Sequence, residues 1–166
     1  MIDPRHTEIL HLLDPGTGKR LWSGGATTIG CLRGVSPEMA AWKPAAGRHS
    51  IWEFTLHISY WKYAVRRNLE GAPTGGFPRS PANWPNTPDV LDDASWKRDR
   101  ALLRSEHVKL VSAVREFDPK RLDEPVAGSV AYRYADLLTG IVLHDAYHVG
   151  QVQLLKRLYR TSPRGK

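Results

Sequence analysis

The stretch "IVLHDAYHVGQVQLLKRLY", Ile141 to Tyr159, sets two histidines four residues apart. On a helix that spacing brings both imidazoles to one side, where they can share an ion. His144 and His148 fall on one stripe with Leu137, Ile141, Gln151 and Leu155, so both rings point where leucines point. A third histidine, His57, sits between Phe54 and Trp61 on the apolar stripe of an earlier segment. Any one of these alone reads as a core histidine satisfied by hydrogen bonds. Three together strain that explanation, because every buried ring nitrogen left unpaired costs about 1–3 kcal/mol. A divalent cation removes the problem. It takes one nitrogen per ring and leaves one N–H apiece for an outer partner. Three protein nitrogens also leave a coordination position open, as in catalytic rather than structural zinc sites. Imidazole suits zinc and nickel, and iron or copper too, so the donor set does not choose the metal.

Other residues stand close enough in sequence to join such a site. Gln151, one turn after His148, could orient a bound water or substrate, or satisfy a backbone group. Glu53, one turn before His57, could serve as a base, although Ser50 and Glu53 also form an S-x-x-E capping box that explains it. Asp145 makes "HDAYH" look like the H-E-x-x-H of zinc proteases with aspartate for glutamate. It is one methylene shorter, falls off the His144–His148 stripe, and more simply faces a polar neighbour. His107 reads as a core histidine, with a fourth ligand or proton shuttle as its other possible roles. Trp61 and Tyr147 are expected to wall the site. Cys31, a lone cysteine on an apolar stretch, reads as a packed thiol.

The elements that must position these residues are helical. Strand signals are nearly absent, and segments with helical period dominate. "DPRHTEILHLLDPG" predicts a short helix capped by Asp3 with Pro4 at its first position. "GKRLWSGGATTIGCLRGV" predicts the first main helix, with Leu21, Gly25, Thr28 and Leu32 on one stripe. Gly24 and Gly25 there imply close approach of another helix. "SPEMAAW" reads as a single capped turn. "HSIWEFTLHISYWKYAVRRNLEG" is the next long helix, apolar on several faces, so either the core wraps it or another subunit covers it. A helix from about Asp92 to Phe117 carries Trp96, Leu103, His107, Leu110, Val114 and Phe117 on one stripe. The loop between these two helices, residues 72–91, is rich in proline. It is long enough to run back along a bundle and leave helices two and three parallel. The expected fold is therefore an all-α four-helix bundle with one long crossover loop, in a single domain over 1–166 with a loose tail from about 161.

The 166 residues suffice to bury a core without staples, and one cysteine excludes an internal disulfide. The N-terminus lacks the apolar run of a signal peptide, and no stretch is apolar enough to span a bilayer, so a cytoplasmic setting is expected. A net charge of +7 favours anionic partners, but the basic residues are scattered and no nucleic-acid motif accompanies them.

"GRHSIWEFTLHISYWKYAVRRNLEG" followed by "LLTGIVLHDAYHVGQVQLLKRL" resembles the DinB/YfiT-like family of metal-binding four-helix bundles. The family pattern is one histidine on the second helix and H-x-x-x-H-x-G-Q on the fourth, matched here by His57, His144, His148, Gly150 and Gln151. The resemblance covers essentially the whole chain. It implies an up-down-down-up bundle, a homodimer and a bound divalent metal, often nickel or zinc. Members with assigned activities are metal-dependent transferases of small thiols, and some are classed with the hydrolases. The resulting expectation is a metal-dependent enzyme acting on small molecules. The rival reading is a metal-binding or purely structural dimeric bundle without turnover.

Overall fold

A computed structural model describes residues 3–16, 25–72, 75–129 and 131–165. Among these residues five helices form: α1 (Pro4–Leu13), α2 (Pro37–Ala41), α3 (Ile51–Leu69), α4 (Asp93–Glu116) and α5 (Tyr134–Thr161), with 3-10 turns at Gly30–Leu32 and Pro119–Arg121. Among the described residues the only β pairing is an isolated antiparallel bridge between Pro125 and Arg133. No helix there is long and apolar enough to cross a membrane.

Local chemistry explains the helix starts. The Asp3 side chain accepts from Arg5 N–H at the head of α1, with Pro4 in its first turn. Ser36 and Asp92 cap α2 and α4 in the same way. At α3 both arms of the capping box form: Glu53 N–H reaches Ser50 Oγ at 3.2 Å, and Ser50 N–H reaches Glu53 Oε2 at 2.7 Å.

The expected first main helix does not extend through its described part. Leu21 and Gly24 lie outside the described residues. From Gly25 to Val35 the chain makes a turn and one 3-10 turn, and Gly25 is exposed rather than pressed against another helix. Thr27 Oγ1 accepts the Gly30 N–H at 3.0 Å, a side-chain bond that competes with helix, and Gly34 sits in the left-handed region at φ +70°.

α3 packs against both α4 and α5, and α1 lies against α4 and α5. Two apolar clusters result. One gathers Cys31, Leu32, Ile51, Trp52, Phe54, Trp96, Leu103, Val149 and Val152. The other gathers Ile9, Leu13, Val65, Leu110, Val114, Leu138 and Ile141. Between them on the three long helices stand Lys62, Glu106 and Asp145, all buried, together with half-buried His107. A polar layer thus divides the core.

The beginning of α3 is buried on nearly every face, as its composition requires, but its cover comes from the same chain. Trp52 has no exposed surface, packs on Trp96, and donates its Nε1–H to Asp99 Oδ2 at 2.8 Å. The other Asp99 oxygen pairs with Arg79, which ties the proline-rich loop to α4.

Candidate metal centre

His57 lies in the middle of α3, while His144 and His148 lie one turn apart in the middle of α5. The packing of α3 on α5 turns all three toward one point. His57 Nε2 stands 3.1 Å from His148 Nε2 and 3.1 Å from His144 Nε2. One ligand atom from each ring lies within 4.8 Å of the others, so the three could hold a metal ion.

The far nitrogens show which tautomers the site demands. His57 Nδ1 lies 2.6 Å from the Asn83 carbonyl oxygen. A carbonyl only accepts, so Nδ1 carries the proton and Nε2 presents a bare lone pair. His148 Nδ1 lies 2.6 Å from Gln151 Oε1, which fixes the same tautomer. Two neutral rings then face each other with lone pairs 3.1 Å apart, an arrangement that repels unless a cation lies between them. A proton is a poor candidate. Burial, the largest cause, pulls the His57 and His144 imidazoles down to about 4 and also lowers His148. The donor set fits a divalent metal. His144 differs from its partners: its Nδ1 is buried and finds no hydrogen-bond partner among the described residues.

Aromatic rings enclose the histidines. The Trp84 indole stacks on His57 with centroids 3.9 Å apart and on His49 at 3.7 Å, the planes nearly parallel in both pairs. Phe54 lies 5.2 Å from His148, Tyr147 4.9 Å from His148, and Trp61 6.0 Å from His144. Trp61 and Tyr147 are exposed and so form the outer wall.

The proline-rich loop completes the site, and sequence reasoning missed its part in it. Asn83 holds a left-handed backbone at φ 69°, a conformation its short polar side chain tolerates. It meets His57 through its carbonyl, and its Oδ1 accepts the Trp61 Nε1–H at 2.9 Å. The available signal was the Asn-Trp pair set between prolines: an aromatic residue in a stretch that forms no regular structure needs something to pack on.

The remaining candidates fall elsewhere. Gln151 is the outer partner of His148. Both Glu53 oxygens are engaged, one in the capping box and one by Lys43 Nζ at 2.9 Å. Asp145, expected off the apolar stripe, is in the core, because the buried line of α5 runs through Leu138, Ile141, Asp145, Val149 and Val152, and the histidines sit at its edge. Its Oδ2 accepts from Lys62 Nζ at 2.5 Å and Thr28 Oγ1 at 3.0 Å, so the geometry gives no support to a protease-like base. His107 lies on α4 outside the cluster. Its Nδ1 is buried without a partner among the described residues, and burial pulls its imidazole down to about 4. The Cys31 thiol donates to the Thr28 carbonyl at 3.0 Å and is pushed up to about 12, chiefly by burial.

The model of one family, described as the DinB superfamily, matches residues 24–152. No curated protein and no solved structure matches the chain.

Proposed function

Since the chain belongs to the DinB superfamily, we propose that it binds one divalent metal ion through His57, His144 and His148 and uses it to act on small molecules. The convergence of the three rings, with His57 Nε2 3.1 Å from Nε2 of both His144 and His148 and two rings in tautomers that leave lone pairs face to face, carries the reading. Zinc and nickel are among the metals that imidazole suits, and they are the two taken for the test. The ion would supply Lewis-acid chemistry, lowering the pKa of a water or thiol at the open face.

The chain's own residues divide the remaining work. Asn83 and Gln151 hold two of the rings in the ligating tautomer. Trp84 and Phe54 exclude water from the inner side. Trp61 and Tyr147 offer apolar surface to a substrate body. Transfer of a small thiol, or hydrolysis of a small electrophile, is the reaction class that fits, in a reducing cytoplasm where one buried cysteine is unremarkable. A non-catalytic metal-binding bundle is the other reading.

Metal analysis should find about one zinc or nickel per chain after reloading of stripped protein. His144→Ala should lose it, because two imidazoles rarely hold an ion against buffer. Full occupancy in that variant sinks the site. Turnover with a panel of thiols and electrophiles, lost in the same variant, separates enzyme from passive binder.

The wider architecture belongs to the same reading: an up-down-down-up bundle in which the proline-rich loop crosses between α3 and α4, assembled as a homodimer. With the beginning of α3 covered from within the chain, the dimer finds its support on α5. Gly140, Leu143, Tyr147, Gly150, Leu154 and Leu158 follow one another along its outward side, and the four large residues are exposed. A Cβ at either glycine would meet nothing within 4 Å, so no contact among the described residues calls for glycine there. Close approach of a second helix around a two-fold axis would.

A further inference from the structure

Lys62 has no exposed surface, and its Nζ reaches across from α3 to Asp145 on α5. Stability alone is a weak reason for such a pair, because replacing a buried ion pair by apolar residues of similar volume is often neutral or stabilising. Fixing one register against its alternatives is the best-attested use of buried polar groups. The setting fits that use. The pair sits in the polar layer, with an apolar cluster on either side. Apolar contacts tolerate a small slide of one helix along another, whereas a 2.5 Å ion pair does not. The bridge also ends beside the metal ligands. Lys62 follows His57 by five residues on α3, and Asp145 follows His144 directly on α5.

We infer that the Lys62–Asp145 bridge, braced by the Thr28 hydroxyl on Asp145 Oδ2, is a positioning pair that locks α3 against α5 in the one register where the three histidines converge. A slide of one residue displaces an imidazole by about 1.5 Å, and metal–ligand distances tolerate only about 0.2 Å. His107 and His144 lie within the electrostatic reach of both charges, so the layer faces the pair from α4 as well as α5. The inference rests on the proposed metal site and adds to it a cause for its geometry.

The test pairs Lys62→Met with Asp145→Leu. Either change alone leaves a buried charge unpaired and should unfold much of the protein. The double variant K62M/D145L should fold, with a melting temperature near or above wild type. It should bind zinc at least about tenfold more weakly, and its cobalt-substituted form should show a shifted visible spectrum. Wild-type zinc affinity and an unchanged cobalt spectrum in that folded double variant overturn the inference. Should it not fold, Thr28→Val decides, since it removes only one brace: weaker zinc binding supports the clamp, and unchanged binding overturns it. Wild-type protein that takes up neither zinc nor cobalt overturns the metal site itself, and with it the clamp.

Discussion

Each histidine of the cluster turns one nitrogen to the common point, and the other nitrogen is where the three differ: those of His57 and His148 meet an acceptor, and that of His144 meets none among the described residues. Gln151→Ala removes the acceptor at His148 Nδ1. Zinc affinity should fall about 10- to 100-fold while the circular dichroism spectrum stays the same. Calorimetric titration checks the first and far-ultraviolet spectra the second. The pH response follows from burial. His57 and His144 are held near 4 in the fold against an ordinary 6.5. Between those values the unfolded chain binds more protons than the folded one. Metal-free protein should therefore lose stability as pH falls from about 6.5 toward 4, and level off below. Denaturant midpoints across that range measure it, and a midpoint independent of pH would refute the burial. The stripes that carry His57, His144 and His148 made the histidine cluster legible in the sequence. The His57 tautomer was not legible, because Asn83 lies 26 residues from His57 and meets it through backbone, which no side-chain pattern encodes.

The long helices were legible nearly to the residue at α3 and α4, where Ser50, Glu53 and Asp92 mark the starts. Between Gly25 and Val35 the reading failed. Apolar residues at helical spacing were present, but Thr27 and the glycines offered the backbone other partners and conformations. On α5 the stripe was displaced toward the histidines, since periodicity treats Asp145 and Lys156 as surface residues. Here Asp145 Oδ2 pairs with Lys62, and Lys156 donates to two backbone carbonyls, those of Cys31 and Arg33, in the core. Two substitutions separate an element that holds up the fold from one that serves the site. Ser50→Ala removes the cap of α3 and should cost about 1 kcal/mol, a fall of roughly 2–4 °C in melting temperature, with zinc stoichiometry unchanged. Trp84→Ala should leave the helical signal intact yet weaken zinc binding, since the indole braces His57 from the loop. Calorimetric melting and zinc titration of both variants check the contrast.

At the scale of the whole molecule, two apolar clusters join the long helices, one on either side of the polar layer. Chelated protein should keep its helical circular dichroism and melt lower than zinc-loaded protein, by an amount that grows with zinc concentration. Collapse to the spectrum of an unfolded chain on chelation would make the ion a staple. Assembly has its own check: Leu143→Arg with Leu154→Arg should convert dimer to monomer in light scattering. How the chain opens can be timed through its one cysteine. Cys31 is fully buried, so a disulfide reagent can label it only during an excursion that uncovers it. The labelling rate is then a stopwatch for that excursion. Its Thr28 neighbour also grips Asp145, so opening this corner tugs on the helix that bears His144. If zinc slows the labelling in proportion to its concentration, the excursion breaks the metal centre. If zinc leaves it unchanged, residues 25–35 swing away alone while the centre stays shut.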